Sequence, residues 1–97
     1  MTFTKTVNGP ECLIKVEGSL DAATAPKLLE EVQALQGVKN VTFDFSRLVY
    51  ISSAGLRVIL AAYNEVAPDG TVKAIHTKET IRKILEVTGF GSVVTIE

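Results

Sequence analysis

Ninety-seven residues, 46% of them hydrophobic, are enough for one core and one domain spanning 1–97. Ten basic and 11 acidic residues leave a net charge of −1, so bulk electrostatics point to neither nucleic acid nor an anionic membrane surface as a partner. The single cysteine, Cys12, excludes an internal disulfide and a cysteine zinc cluster. No apolar run reaches the ~18 residues of a membrane span, and MTFTKTVNG lacks the charged start and apolar stretch of a secretory signal. A cytoplasmic protein without membrane insertion is expected.

The first strand is predicted over 2–7, where β-branched residues alternate, and Asn8-Gly9-Pro10 is a turn. A second strand over 11–17 puts Cys12, Ile14 and Val16 on one face, with Glu11, Lys15 and Glu17 on the other, and pairs with the first as an antiparallel hairpin. A helix follows over 24–36 with Ala25, Leu28, Leu29, Val32 and Leu35 on its inner stripe. Thr24 or Asp21 caps it, Pro26 fits its first turn and Gly37 stops it.

Strand three is predicted over 41–45, with Val41, Phe43 and Phe45 alternating against Thr42 and Asp44. A short loop leads to a helix over 53–66, whose apolar repeat is read at Leu56, Ile59, Leu60 and Tyr63. Pro68-Asp69-Gly70 turns into a fourth strand over 71–75. A third helix runs over 78–87 with Ile81, Ile84 and Leu85 inward, Gly89 ends it, and a last strand covers 92–96. From the second strand onward strands and helices alternate. That order predicts an α/β domain with a mixed, mostly parallel sheet, the hairpin strand antiparallel at one edge. Because strand three is apolar on one side only, the helices are expected mainly on one face.

Ser52 and Ser53 stand where strand three gives way to the second helix. Free backbone N–H groups and the positive end of the helix dipole converge at such a point. A serine there can simply cap the helix. It can also carry a phosphate that the helix start tolerates but that adds roughly −1.5 to −2 charges to the surface. Gly55 in the first turn is a poor helix former, and its small size is read as room for a phosphate or a partner's backbone.

The stretch DFSRLVYISSAGLRVILAAY resembles the STAS domain, and in particular the bacterial anti-anti-sigma factors. The family pattern falls on Asp44, Ser46, Ile51, Ser52, Ser53, Ala54, Gly55, Leu56 and Ile59. Gly18-Ser19-Leu20-Asp21 is similar to the family's G-x-[LI]-D loop, and IRKILEVTGF (81–90) to its third helix and T-G-[FL] ending. Three motifs in the right order cover nearly the whole chain.

The resemblance implies an anti-sigma factor antagonist that binds an anti-sigma factor, often one with a serine kinase fold. Phosphorylation of one serine releases it, and a metal-dependent serine phosphatase resets it. Matched position by position, the phosphorylated serine is Ser53, and Asp21 is the family's loop aspartate near it. Ser52 stands where the family commonly has an acidic residue, which makes it a rival acceptor, and Ala54 stands where many relatives have Ser or Thr. Many relatives also continue into a further helix beyond the position of Glu97. The alternative is a STAS adaptor subunit of a lipid-transport ABC complex or a stress-signalling assembly, never phosphorylated, with the serines structural.

The partner-binding candidates are therefore Asp21, Ser52, Ser53, Ala54, Gly55, Arg57 and Tyr50; Tyr50 and Arg57 flank the serine turn, and such residues dominate interface hot spots. No catalytic residue, cofactor or metal ligand is expected. His76 is the only histidine and nothing in the sequence puts it beside Ser53, the Gly that opens a G-x-S-x-G elbow is missing, and no phosphate-binding glycine loop occurs. Asp44 is read as a loop-bonding or functional carboxylate, Cys12 as a buried apolar residue, and Lys78, Arg82 and Lys83 as an exposed helix face.

Overall fold

The alternating apolar runs of the second and third strands become the middle of a five-stranded sheet in a computed structural model, which describes residues 1–66 and 68–97. The elements are β1 (Thr2–Asn8), β2 (Glu11–Leu20), α1 (Ala25–Gln33), β3 (Asn40–Ile51), α2 (Ser53–Val66), β4 (Thr71–Ile75), α3 (Glu79–Val87), a 3-10 turn (Phe90–Ser92) and β5 (Thr95–Ile96). Spatial order follows chain order, β1-β2-β3-β4-β5. β1 runs antiparallel to β2, and the remaining pairs are parallel.

Register explains the core. Cys12 lies opposite Val41 and Val41 opposite Val72; Ile14 lies opposite Phe43 and Phe43 opposite Ala74. Every residue in these two rows is buried. The Phe43 and Phe45 rings stack with centroids 5.5 Å apart. Leu28 and Val32 of α1, Val58, Ile59 and Ala62 of α2, and Ile81 and Leu85 of α3 complete the same core. The helices thus cover one face, and the other carries Lys15, Glu17, Thr42, Asp44 and Lys73.

Several expected boundaries move, each for a local reason. α1 stops at Gln33 rather than 36, because the Leu35 N–H bonds the Val32 carbonyl in a tightened last turn. Leu35 and Val38 stay buried in the irregular segment after it, where Gly37 takes φ 69°. Neither Thr24 nor Asp21 caps α1: Thr24 holds the cap position but its hydroxyl turns back to the preceding loop.

The predicted short loop after residue 45 is strand. β3 continues to Ile51, pairing Arg47 with Glu17, Leu48 with Gly18, Tyr50 with Ser19 and Ile51 with Leu20. Two register shifts in the β2/β3 pair, with Gly18 at φ 88°, absorb the break in alternation. The inner stripe of α2 is also rotated from the expected one: Gly55, Val58, Ile59, Ala62 and Val66 are buried, whereas Leu60 is 43% exposed. Of the last predicted strand, 92–96, Ser92 ends the 3-10 turn, Val93 and Val94 are turn and bend, and only Thr95–Ile96 pair with β4.

Candidate partner-binding site at the start of the second helix

The ends of β2 and β3 and the beginning of α2 are joined by a few short contacts. The Ser52 N–H donates to the Leu20 carbonyl at 3.0 Å, and the Ser52 carbonyl accepts the Leu56 N–H at 3.0 Å. Ser52 Oγ accepts the Ala54 N–H at 3.2 Å. Ser52 is therefore the helix cap, half-buried, with its hydroxyl satisfying one of the otherwise unpaired first-turn donors. Ser53 is the first helical residue and is exposed; among the described residues its hydroxyl has no hydrogen-bond partner. Of the two adjacent serines, one is used by the fold and the other is left to solvent.

Gly55 is buried, and its role differs from the one read in the sequence. A Cβ at this position would sit 2.6 Å from Ile51 Cγ1, 2.8 Å from the Leu20 carbonyl oxygen and 3.0 Å from Leu20 Cγ. Its smallness lets α2 close onto its own strands; the space is already filled from within the chain and is not open to a phosphate or partner.

Asp21 follows Leu20 directly. Its Oδ1 accepts the N–H groups of Ala23 at 3.0 Å and Thr24 at 3.2 Å. Thr24 Oγ1 lies 3.1 Å from Asp21 Oδ1 and 2.8 Å from the Ser19 carbonyl, and it accepts the Asp21 N–H at 2.9 Å. The Thr24 hydroxyl is the main cause holding the Asp21 carboxyl below its ordinary range; partial desolvation opposes this, while the two N–H groups and the chain's amino terminus add to it. Asp21 is an ionised turn-builder that fixes the loop against which the helix start rests.

Around this frame the structure leaves apolar and cationic surface uncovered. Ala22, Ala25, Pro26 and Leu29 face Ala54 and Arg57 across a groove of about 270 Å³ between α1 and α2. Arg57 is exposed. Tyr50 is 52% exposed at the end of β3, and its neighbour Val49 is 62% exposed. Val49 is not singled out by the sequence, the only trace of its exposure being the break in alternation after Phe45, and Leu60, read as part of the apolar repeat of α2, lies on its exposed side.

The remaining polar groups lie elsewhere. His76 is exposed just after β4, with φ 53°. Its neighbour Ile75 pairs with Asp44, seven residues before Ile51 in β3, and no hydrogen bond or ion pair among the described residues joins His76 to the serine turn. Burial acts to raise the Asp44 carboxyl, but hydrogen bonds from Ser46 and the charges of His76 and Lys15 together hold it below its usual range. Asp44 Oδ1 accepts the Ser46 N–H at 3.0 Å. Cys12 is buried, and burial raises its thiol pKa despite the Lys5 charge nearby. Among the described residues no group of three or more His, Cys, Asp and Glu side chains is placed to hold a metal, and no helix is long and apolar enough to cross a membrane.

One sheet with helices on a single face, a G-x-L-D loop resting on a capped serine turn, and a following T-G-F segment define a class of small α/β domains. The family model for the STAS domain matches residues 2–97, and the chain belongs to that family. Over 81 residues it is 35% identical to BtrV of Bordetella bronchiseptica, whose name assigns it as an anti-sigma factor antagonist; the match covers 80% of this chain and 70% of that one. It is 25% identical over 87 residues to the anti-sigma-B factor antagonist of Listeria monocytogenes, covering 87% of this chain and 76% of the relative. Among solved structures, the anti-sigma factor antagonist SpoIIAA in its unphosphorylated form is similar with TM-score 0.80 at 20% identity, covering 99% of this chain and 87% of that one. The phosphorylated form of SpoIIAA, from Bacillus, gives TM-score 0.76 at 21% identity, covering 99% and 91%.

Proposed function

We propose that this domain is an anti-sigma factor antagonist that binds an anti-sigma factor through the end of the molecule around Ser53, and that phosphorylation of Ser53 ends the binding. The observation that carries this reading is the division of labour between the two serines: Ser52 caps α2, while the Ser53 hydroxyl is exposed and without a partner among the described residues. The names of the relatives and the existence of SpoIIAA in both unphosphorylated and phosphorylated forms support it. In this reading the partner is a serine kinase or acts with one, and a serine phosphatase restores the unmodified form.

The physics gives opposite signs in the free and bound states. In the free domain a phosphate at the first position of α2 meets the positive end of the helix dipole, a stabilisation of about 0.3–1 kcal/mol. In a closed interface the same group is a dianion that must give up its water against a surface not built to receive it, and burying it costs several kcal/mol. A difference of about 3 kcal/mol weakens binding by more than 10²-fold. The switch therefore needs no refolding. Asp21, already ionised beside the helix start, adds to the negative charge that the partner would have to accept.

The test is incubation with a candidate anti-sigma kinase and ATP, followed by phosphopeptide mapping and partner capture. Label is expected at Ser53 and absent from Ser53→Ala, with Ser53→Asp losing at least tenfold in partner affinity. Label confined to Ser52, or equal capture of wild type and Ser53→Asp, refutes the proposal.

A further inference from the structure

Arg57 is exposed and makes no ion pair among the described residues; the pairs that do form are Lys5–Glu31, Arg47–Glu17 and Lys73–Glu97. It lies four residues after Ser53 on the continuous helix α2. Residues at this spacing share a helix face, with Cβ atoms about 5–6 Å apart. Helical side chains lean toward the N-terminus, so a long side chain at position 57 lies over the turn that begins at Ser53. Arg57 lines the α1/α2 groove together with Ala54, the residue three positions before it in that first turn.

We infer that Arg57 is the internal counter-ion of a phosphate on Ser53, and that the modification takes this cation away from the groove it otherwise lines. The inference rests on the proposed phosphorylation of Ser53 and adds to it a residue whose role lies in this chain's own sequence. An acid N-terminal to a base at i, i+4 is the favourable order, in line with the helix dipole. A guanidinium matches phosphate oxygens with two parallel N–H donors, which an ammonium cannot do. In the unmodified domain the same guanidinium stands at the mouth of an apolar groove, free to meet a partner carboxylate. Phosphorylation then changes the surface twice: a dianion appears at Ser53, and the neighbouring cation turns inward to it. Arg57 is thus a positioning residue for the phosphate.

The test installs phosphoserine at position 53 during translation, so that no kinase is needed, and follows its second ionisation by ³¹P NMR in wild type, Arg57→Gln and Arg57→Lys. Pairing stabilises the dianion, so Arg57→Gln should raise the phosphate pKa by about 0.3, a twofold change in proton affinity. Arg57→Lys should recover part of that shift, because it keeps the charge and loses the fork. Asp21 is present in all three proteins and cancels from the comparison. Equal phosphate pKa values, within 0.1, in wild type and Arg57→Gln overturn the inference. Partner capture by the same phosphoprotein separates the two readings. Undiminished capture removes the phosphorylation switch and leaves the pairing standing, whereas an unmoved pKa removes the pairing and leaves the switch.

Discussion

Replacing Gly55 with alanine sets two effects against each other, and the structure decides between them. Alanine is the better helix former by about 0.8–1.0 kcal/mol, so propensity alone predicts a more stable α2. Against this, the new Cβ meets Ile51 Cγ1 at 2.6 Å and the Leu20 carbonyl oxygen at 2.8 Å. Ile51 can rotate in part, but the Leu20 carbonyl is backbone and accepts the Ser52 N–H. Moving it either stretches that bond or tilts the start of α2 away from the sheet. Overpacking of this kind costs about 1–3 kcal/mol, and loss of a buried hydrogen bond adds about 1 kcal/mol. The sum is a net destabilisation of about 1–3 kcal/mol. Urea unfolding at 25 °C followed by circular dichroism measures it directly. For a domain of this size it corresponds to a fall in Tm of roughly 4–8 °C per kcal/mol. An unchanged or raised midpoint would show that the strand ends yield freely, and the account of Gly55 as an internal spacer would be wrong.

Ser52→Ala removes the acceptor for the Ala54 N–H and should cost about 0.5–2 kcal/mol in the same assay, while Ser53→Ala should stay within about 0.5 kcal/mol of wild type. A reversed order would contradict the assignment of cap and free hydroxyl. The Asp21 carboxyl is depressed in the folded protein, so its contribution to stability is fully present above its unfolded pKa of about 3.9 and is lost as pH falls through the lower folded value. Asp21→Asn should therefore be less stable than wild type near pH 6, with the gap closing below pH 4 in a pH series of unfolding curves. A constant gap across that range would count against the hydrogen-bonded carboxylate as the cause.

Regular patterns were legible in the sequence where one physical constraint acted alone. Alternation at Val41, Phe43 and Phe45 gave strand and buried face correctly, because a strand covered on one side imposes a period of two. The T-V-K-A-I run over 71–75 matched β4 residue for residue. The pattern was lost where two constraints competed. From Ser46 to Ile51 the exposure of β3 runs exposed, exposed, buried, exposed, exposed, buried, a period that fits no flat strand. Both register shifts put the extra residue in β3 itself: Lys15 to Glu17 in β2 is matched by Asp44 to Arg47, and Gly18 to Ser19 by Leu48 to Tyr50, and a bulge is a pairing event that a period-two reading does not anticipate. The inner stripe of α2 was misplaced because Leu60 is large and apolar, while Gly55 and Ala62, which do face inward, are small. At the site, residue types near Ser53 were legible, but the division between Ser52 and Ser53 was not: serine suits both a cap and an exposed first turn, and only the bond to the Ala54 N–H separates them.

Because the Leu20 carbonyl grips the Ser52 N–H and Gly55 lets the helix press against Leu20 and Ile51, the chain around Ser53 has no slack. In the proposed switch, an enzyme that modifies this serine would have to take it from a finished fold, reading a curved protein surface instead of an unrolled peptide threaded through a cleft. Substrate choice is then written in the shape of the whole end of the domain. A synthetic fragment with the same local letters would present none of it.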